Sequence, residues 1–419
     1  MNDEKRIAWF KDARFGIFLH WGLYSVLGRN EWSMYLDRFS VAEYSALADR
    51  FVPQRFDADE WATWAAEAGV KYMVLTTRHH DGFCLFDSKV SDFTSVKRAA
   101  KRDFVIEYAE ALRKAGIKVG LYYSLCDWRY KGCWLPDQYP DSATAMVEQA
   151  HAQVRELMTN YGHVDILWYD GASWGNDTPA DVAYRSRDLN AMVRRLQPDI
   201  LVNDRSGLAE DFGTPECKIE ASAEETRPWE SCIQMDDISW GNIPHSPNLR
   251  TAERIVADLV EVATGAGNLL LNTGPQADGR IRPEEMKRIR KAGEWLRRNG
   301  SAIYGSRRSP LAEHGPMGSS NRMSRWIGSK DPCIHYLAAL CWMGSEFMTV
   351  LVDGEVEDIS LLSTGAPVRF KRGPEGRLTF IDLPNKPPDN PATIFKVRFA
   401  RPPRHMPLEK NGHWLRSDL

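Results

Sequence analysis

Strand-like and helix-like segments alternate from residue 15 to about residue 300, and this alternation restricts the fold more than any other feature of the sequence. Short apolar runs, rich in β-branched and aromatic residues, predict strands at residues 15–20, 71–77, 118–125, 164–169, 199–203, 230–235 and 268–274, with a candidate eighth strand at 301–305. Helical patterns lie between them at 57–69, 102–116, 142–162, 180–197, 251–265 and 283–300. Repeated β-α units build a parallel sheet, either doubly wound or closed. The strand count favours an α/β fold of the (β/α)8-like barrel type.

The sequence changes character after about residue 310. Short runs of alternating apolar and polar residues, separated by turn residues, predict a small antiparallel β-sandwich. The last segment has no periodicity and is expected to be a loose tail. We therefore divide the chain into a barrel domain at 1–308, a C-terminal β-sandwich at 309–400 and a tail at 401–419.

Composition and charge exclude several classes of partner. The formal net charge is −3, so neither a nucleic acid nor an acidic membrane surface is expected as a partner. No apolar run is long enough for a signal peptide or a membrane-spanning helix. The seven cysteines form no CxxC pair, so neither a zinc site nor a disulfide framework is predicted. A reduced, cytoplasmic protein is the simplest expectation.

Polar side chains cluster where the predicted strands end. They are His20, His79, His80, Asp127, Asp170, Asp204 and Arg205. In parallel barrels, catalytic groups occupy the C-terminal ends of the strands. Asp170 is the most informative of these residues, because it follows an apolar run that includes Trp168 and Tyr169. A carboxylate in that position can be a nucleophile, a metal ligand or a structural cap.

The acidic and aromatic residues favour hydrolysis of a glycosidic bond. That reaction needs two carboxyl groups on either side of the sugar ring. Asp170 is the candidate for the first, and the candidates for the second are Glu216, Glu220, Glu224, Glu225 and Glu230. The charged stretch around Glu224 and Glu225 is more typical of solvated side chains.

Two other functions are consistent with the same residues. Three histidines and an aspartate near strand ends could bind a metal ion, although neither an HxH pair nor an HExxH motif is present. Neutral histidines are equally suited to sugar hydroxyl groups, since each ring offers one donor and one acceptor. A metal-dependent barrel hydrolase and a non-catalytic carbohydrate-binding protein on the same scaffold are therefore the alternative hypotheses.

Blocks of sequence resemble the α-L-fucosidase family of retaining glycoside hydrolases. They are FKDARFGIFLHWGLYSV, EWSMY, the stretch containing HHDGF, GLYYSLCDW, DILWYDG, VNDR, DFGTPE, SWG and GNLLLNTGPQADG. These blocks occur in the family's order over about residues 8–305. The combination of HHDGF, LWYDG and LLNTGP is specific, whereas one block alone would be weak. The resemblance implies a (β/α)8-like barrel followed by a β-sandwich, as predicted above.

The resemblance also assigns roles to individual residues. Asp170 of WYDG matches the catalytic nucleophile. The residues that match sugar contacts are His20, Glu31, Trp32, His79, His80, Trp168, Arg205 and Trp240, together with one tyrosine of GLYYS. We favour Tyr122 because it shares a strand face with Gly120 and Ser124, and Tyr123 is the alternative.

The family places the general acid/base on a variable loop, so its assignment depends on the sequence of that loop. In members whose loop is similar to DFGTPE, the final glutamate has this role, which indicates Glu216. Glu230 of PWE is the second candidate and Glu220 the third. Asn242 stands where many members have tyrosine after SWG, so the rim around the leaving group is expected to differ.

The same resemblance implies the reaction and its partners. It implies an exo-acting, retaining α-L-fucosidase that needs no cofactor and no metal ion. The expected partner is a fucosylated glycan or glycoside. Family members are often oligomers, which favours a homo-oligomer.

Overall fold

The computed structural model describes residues 3–172, 178–219, 227–312, 323–373 and 376–405. The chain divides into two compact units, residues 1–252 with 267–294 and residues 253–266 with 295–419. The strands are β1 Phe15–Leu19, β2 Tyr72–Arg78, β3 Lys118–Ser124, β4 Ile166–Asp170, β5 Leu201–Val202, β6 Glu230–Gln234, β7 Asn268–Thr273, β8 Ser324–Gly328, β9 Ile334–Ala339, β10 Phe347–Asp353, β11 Val356–Leu361, β12 Arg369–Arg372, β13 Arg377–Ile381, β14 Thr393–Phe399 and β15 Arg404–His405.

Within the described part of the chain, five of the six predicted helices begin and end within three residues of the predicted positions, the one predicted at 180–197 is divided into two, and five further helices were not predicted. The helices are α1 Asp3–Ala13, α2 Tyr24–Leu27, α3 Ser33–Leu36, α4 Val41–Ser45, α5 Ala58–Glu67, α6 Phe104–Lys114, α7 Lys131–Trp134, α8 Pro140–Asn160, α9 Ala180–Ala183, α10 Ser186–Leu196, α11 Ala252–Thr264 and α12 Pro283–Ile303, with 3₁₀ turns at Ala46–Asp49 and Asp204–Ser206. The side chain of Asp57 accepts a hydrogen bond from the Glu60 N–H at 3.1 Å and so caps α5. Among the described residues, no helix is both long and apolar enough to cross a membrane.

Seven parallel strands of the first unit form one sheet in the order β5-β4-β3-β2-β1-β7-β6. All seven overlap the apolar runs that predicted strands, and their ends differ from the predicted ones by at most two residues. Register places Tyr122 of β3 beside Trp168 of β4, and Ser124 beside Asp170. The prediction of an α/β, (β/α)8-like barrel is confirmed.

The eighth position in the barrel is taken by residues 211–217, which we call the closing segment. On one side, Asn203 and Phe212 form a parallel bridge beyond β5. On the other side, the Glu230 N–H donates to the Gly213 carbonyl at 2.9 Å and the Cys217 N–H donates to the Cys232 carbonyl at 2.9 Å. This segment therefore joins β5 to β6, although it is too irregular to count as a strand.

The predicted eighth strand at 301–305 is wrong. Residues 301–303 complete α12, and Gly305 follows with φ +66°. Ala302 and Ile303 are buried, which explains the misassignment, because a short apolar run at the end of a buried helix looks like a strand in sequence.

The barrel interior is filled by one or two side chains from each strand and from the closing segment. This cluster also includes α1, and its members are Ile7, Phe10, Ala13, Phe18, Tyr72, Val74, Tyr122, Ile166, Trp168, Leu201, Phe212, Cys232 and Leu270. The rings of Phe10 and Phe212 lie 4.6 Å apart. Gly16 on β1 leaves room for the Tyr72 ring, since a Cβ there would lie 2.4 Å from that ring. The interior is thus a packed core below the strand ends.

The second unit contains two antiparallel four-stranded sheets, β12-β13-β10-β15 and β11-β14-β9-β8. Alternate residues of these strands form a buried cluster that includes Trp326, Leu337, Phe380 and Phe395. The predicted C-terminal β-sandwich is confirmed. Arg404 and His405, in the predicted tail, pair with β10, and residues 406–419 lie outside the described part of the chain.

We predict that Asp211→Ala destabilises the barrel. Asp211 accepts a hydrogen bond from the Val202 N–H at 2.8 Å and pairs with Arg6 at 2.5 Å and Arg194 at 3.0 Å, so its loss removes one ion pair from each arginine, while Arg194 keeps its contact with Glu210 at 2.6 Å. Removing one member of a buried ion pair costs about 3–5 kcal/mol. Equilibrium urea unfolding should show a loss of that size. Asp92→Ala, which removes an exposed partner of Lys97, is the control and should leave the unfolding curve unchanged.

Candidate active site

A cavity of about 360 Å³ lies at the carboxyl ends of the barrel strands. Its lining consists of Phe18, His20, Glu31, Trp32, His79, His80, Tyr122, Trp168, Asp170, Gly171, Arg205, Glu216, Cys232 and Trp240. Both residues predicted as catalytic, and all of those predicted to contact a sugar, are therefore brought together. The two alternative acids are not among them, because Glu230 lies deeper in the barrel and Glu220 lies outside the described residues.

Strand alternation places Asp170 in the cavity. Ile166, Trp168 and Asp170 occupy one face of β4, and the first two of them belong to the barrel interior. Gly171 then turns the chain with φ +72°. A Cβ at this position would lie 2.8 Å from the Cys126 sulfur and 2.9 Å from the Ser124 hydroxyl oxygen, so only glycine fits against this wall.

The surroundings of Asp170 favour its charged form. Burial alone would raise the pKa of this carboxyl group, but His80 and Arg205 outweigh burial and lower the pKa below its usual value. The His80 and Arg205 side chains lie 3.6 Å and 3.4 Å from the carboxylate oxygens. Hydrogen bonds from the Gly171 N–H and from the Tyr122 hydroxyl, the latter at 2.9 Å, act in the same direction. Asp170 is thus an ionised carboxylate at the base of the cavity.

Arg205 contacts both candidate catalytic carboxylates. Its Nη1 lies 3.4 Å from Asp170 Oδ1, and its Nη2 lies 2.8 Å from Glu216 Oε2. The guanidinium is held in place by Thr214, whose side chain accepts from Nε at 2.8 Å and whose carbonyl accepts from Nη2 at 3.1 Å. The Glu216 side chain is 43 % exposed, whereas that of Asp170 is 25 % exposed. One carboxylate therefore lies inside the cavity and the other at its rim.

The two tyrosines of GLYYS have separate environments. The Tyr122 ring stacks on Trp168 with a centroid distance of 5.7 Å and lines the cavity. Tyr123 points to the other side of β3, where its hydroxyl donates to Gln153 of α8 at 2.7 Å. The structure thus places Tyr122, and not Tyr123, beside Asp170.

His20 and His79 are buried and electrically neutral. Burial lowers the pKa of His20 to about 3 and moves the pKa of His79 well below its usual value. His20 Nδ1 lies 2.6 Å from Asn272 Oδ1, and the Asn272 amide nitrogen donates to the Trp240 carbonyl at 2.7 Å. This arrangement makes His20 Nδ1 the donor and leaves Nε2 as an acceptor.

His80 differs from the other two histidines because it faces Asp170. Burial opposes its charge, but Cys126 and Asp170 outweigh burial and raise the pKa of His80 above its usual value. Its Nδ1 lies 2.7 Å from the Ser124 hydroxyl, which in turn donates to the Cys126 carbonyl at 3.0 Å. Within the described residues, no group of three or more His, Cys, Asp or Glu side chains is arranged to hold a metal ion.

Glu31 organises the opposite side of the cavity. Its Oε2 accepts hydrogen bonds from the Ser239 hydroxyl at 2.7 Å, the Trp240 N–H at 3.0 Å and the Gly241 N–H at 3.1 Å. Burial raises the pKa of Glu31, although these donors oppose that effect. The segment that carries Trp240 is thereby fixed to the loop that carries Glu31 and Trp32.

Glu230 occupies the barrel interior beneath the cavity. It is fully buried, and burial raises its pKa to about 7. One carboxyl oxygen accepts from the Trp168 indole N–H at 3.0 Å, and the other accepts from the Tyr72 hydroxyl. Glu230 therefore fixes the orientation of Trp168 and does not reach the cavity.

Two other strand-end aspartates support the site without lining it. Asp127 is buried between Arg78 and Arg129, at 2.6 Å from each. Asp204 accepts from the Thr214 hydroxyl at 2.7 Å and so braces the residue that holds Arg205.

Sequence reasoning missed Phe18, Cys232 and Asn272. Phe18 lies on β1 two residues before His20, and its ring is 4.5 Å from the His20 ring. The two-residue alternation of strand side chains would have predicted that both face the same side. Asn272 lies in LLNTGP at the end of β7, and a polar residue in an otherwise apolar strand could have been predicted to contact the site. Cys232 had no such signal, because its apolar character is typical of any buried strand.

The chain is similar to known α-L-fucosidases. Residues 1–301 match the protein family described as Alpha-L-fucosidase. The tissue alpha-L-fucosidase of Bos taurus is 31% identical, over 91% of this chain and 85% of that protein. The solved structure of alpha-L-fucosidase isoenzyme 1 from Paenibacillus thiaminolyticus is 32% identical, with a TM-score of 0.85 over 96% of this chain and 100% of that one.

A further solved structure bears on the chemistry. It is an alpha-L-fucosidase from Bacteroides thetaiotaomicron, described as a trapped covalent intermediate with 2-fluoro-fucosyl fluoride. It is 25% identical to this chain, with a TM-score of 0.84 over 95% of this chain and 96% of that one.

We predict that Tyr122→Phe raises the pKa of Asp170. The variant keeps the ring on Trp168 but removes the hydroxyl group that donates to Asp170 Oδ2, and a lost donor to a carboxylate favours its protonated form. Carbon-13 NMR of aspartate-labelled protein, with Asp170→Asn for assignment, should show the Asp170 titration at higher pH. Tyr123→Phe is the matched control, because its hydroxyl bonds to Gln153 on the other side of β3. An unchanged titration in Tyr122→Phe would contradict the prediction.

Proposed function

Since the chain belongs to the α-L-fucosidase family, its reaction is retaining hydrolysis of α-L-fucosides, and we propose that Asp170 and Glu216 carry out that reaction. The observation that supports this assignment most strongly is the contact of both carboxylates with Arg205, one inside the cavity and one at its rim. A retaining glycosidase needs a nucleophile and an acid/base close enough to act on one sugar ring.

In the first step, the Asp170 carboxylate attacks the anomeric carbon of the fucose. A bond forms between that carbon and an Asp170 oxygen while the bond to the leaving-group oxygen breaks, and Glu216, which enters this step in its protonated form, gives its proton to the departing oxygen. The lowered pKa of Asp170 keeps the nucleophile ionised. The exposed position of Glu216 at the rim suits a group that must meet the leaving oxygen.

In the second step, water releases the sugar. Glu216 is now a carboxylate and takes a proton from water, whose oxygen attacks the anomeric carbon. The ester bond to Asp170 breaks and the Asp170 carboxylate is restored. Two inversions at one carbon give fucose with the configuration of the substrate.

The rest of the cavity suits a 6-deoxy sugar. Neutral His20 and His79 each offer a donor or an acceptor to hydroxyl groups without the cost of an unpaired charge. Phe18 and Trp240, whose ring centroids are 6.1 Å apart, form an apolar wall for the methyl group. We propose that the other contacts with the sugar come from Glu31, Trp32, His80, Tyr122, Trp168 and Arg205.

We infer a fucosylated glycan or glycoside as the natural partner, in an exo-acting reaction on terminal fucose. Neither the metal-dependent hydrolase nor the non-catalytic binding protein is favoured by the family match or by the related enzymes. The homo-oligomeric state and the cytoplasmic location stay predictions.

We predict that Asp170→Gly abolishes turnover and that azide partly restores it. Loss of a nucleophile lowers kcat by about 10⁴-fold or more, because no covalent intermediate forms. Azide enters the vacated space, attacks the anomeric carbon from the same side and leaves as a fucosyl azide of inverted configuration. Release of nitrophenol from nitrophenyl α-L-fucoside gives the rate, and NMR identifies the product. Wild-type rates in Asp170→Gly would remove Asp170 from this role.

We also predict that Glu216→Ala affects substrates according to their leaving groups. Methyl α-L-fucoside needs protonation of its leaving oxygen, so its kcat/KM should fall by about 10²–10⁴-fold, whereas an activated dinitrophenyl fucoside should lose far less. Glu230→Gln is the comparison, because that buried side chain acts only through Trp168. It should lower both rates by a similar factor. The opposite pattern in the two variants would transfer the acid/base role to Glu230.

A further inference from the structure

A second cavity, of about 560 Å³, lies in the first unit beside the catalytic cavity. Its walls are the rings of Tyr35, Trp128 and Trp134, and its rim includes Leu36, Arg38 and Val41. We call this cavity the aromatic groove. It is formed by α3 and the residues that follow it, together with the segment between β3 and α8. None of the catalytic steps described above uses it.

The aromatic groove adjoins the catalytic cavity at Trp128, which lines the groove. The Trp128 ring lies 5.1 Å from the His80 ring and 5.4 Å from the Trp32 ring, both of which line the catalytic cavity. Trp128 itself is 3% exposed, so it is a fixed partition between the two cavities. The Trp32 ring of the catalytic cavity also lies 6.1 Å from the Tyr35 ring of the groove, so the two cavities are neighbours along these side chains.

The rings of the aromatic groove are held in place and yet accessible. Tyr35 and Trp134 stack at 5.2 Å with an angle of 11° between their planes, and the Trp134 indole donates to the Trp128 carbonyl at 3.1 Å. Tyr35 is nevertheless 47% exposed. Flat aromatic faces of this kind pack against the C–H face of a pyranose, and a few polar groups at the rim fix its orientation. Arg38 supplies such a group.

We propose that the aromatic groove binds the saccharide to which the fucose is attached, so that the enzyme favours fucosyl oligosaccharides over simple fucosides. This inference rests on the proposed function of the catalytic cavity and adds a preference for the leaving group. The volume supports it, because the groove is larger than the cavity that is assigned to a single fucose. The contact between the aromatic walls of the two cavities favours part of the same substrate over a separate ligand.

The test compares a trisaccharide with a substrate that cannot reach the groove. The two probes are 2′-fucosyllactose and methyl α-L-fucoside, and the measured quantity is the ratio of their kcat/KM values. In Tyr35→Ala this ratio should fall about tenfold relative to wild type, because one stacking face is lost. Tyr35→Phe keeps that face and should keep the ratio within twofold. Tyr35→Leu replaces Tyr35→Ala in the test if the alanine variant does not fold.

Ile106→Ala is the control, because Ile106 is exposed on α6 and is not part of either cavity. It should leave the ratio unchanged.

An equal loss for both substrates in Tyr35→Ala, or no loss for either, would overturn the inference while the proposed function stands. If Tyr35→Ala lowered kcat/KM only for a third probe, octyl α-L-fucoside, the groove would bind an apolar chain. If Tyr35→Ala changed the molecular mass measured by sedimentation and left the ratio unchanged, the groove would bind a second copy of the chain. Both results would also overturn the inference. A wild-type protein that hydrolyses neither probe would instead overturn the proposed function.

Discussion

The site depends on how the Arg205 guanidinium is held. It contacts Asp170 inside the cavity and Glu216 at the rim, and it is fixed by two hydrogen bonds to Thr214. Thr214 and Glu216 both belong to the closing segment, which joins β5 to β6. The segment that closes the barrel therefore also brings Arg205 into contact with both catalytic carboxyl groups. A barrel that opened between these strands would lose the position of the acid/base and the cation that keeps the nucleophile charged.

Because side chains alternate along a strand, those that line the cavity lie on one face of the sheet and those that pack against the helices lie on the other. On β3, Tyr122 faces Asp170 while Tyr123 bonds to α8. On β4, Trp168 lines the cavity while Tyr169 is buried on the other face. The position of Trp168 has a free-energy cost, because the carboxyl group of Glu230 is buried among apolar side chains to hold the Trp168 indole. Its two hydrogen bonds offset part of that cost, and its protonation at lower pH offsets more.

The strand pattern in the sequence was sufficient to predict the sheet, the sandwich and the cavity residues at strand ends, which are His20, His79, His80, Asp170 and Arg205. Glu31, Trp32 and Trp240 lie on loops and were predicted only from the family resemblance, which also selected Glu216 among the candidate acids. The strand pattern failed at barrel closure, because residues 211–217 have no apolar alternation and pair through isolated bridges. It also could not separate Glu216 from Glu230, since both follow short aromatic or polar motifs and differ only in depth within the barrel. Depth depends on pairing between segments far apart in sequence. Asn272 was missed for a related reason, because its role is set by His20, which is 252 positions away in the chain.

The three histidines of the cavity show why the same residue types suit a sugar better than a metal ion. A divalent cation needs ring nitrogens with lone pairs that converge on one point. Here Nδ1 of His20 is engaged by Asn272, and Nδ1 of His80 by Ser124, while the other nitrogen of His80 faces the Asp170 carboxylate. Burial keeps His20 and His79 neutral, and Asp170 favours the charged form of His80. The cavity therefore offers hydroxyl groups neutral donors and acceptors on one side, whereas the Arg205 guanidinium lies on the other side beside Asp170 and Glu216.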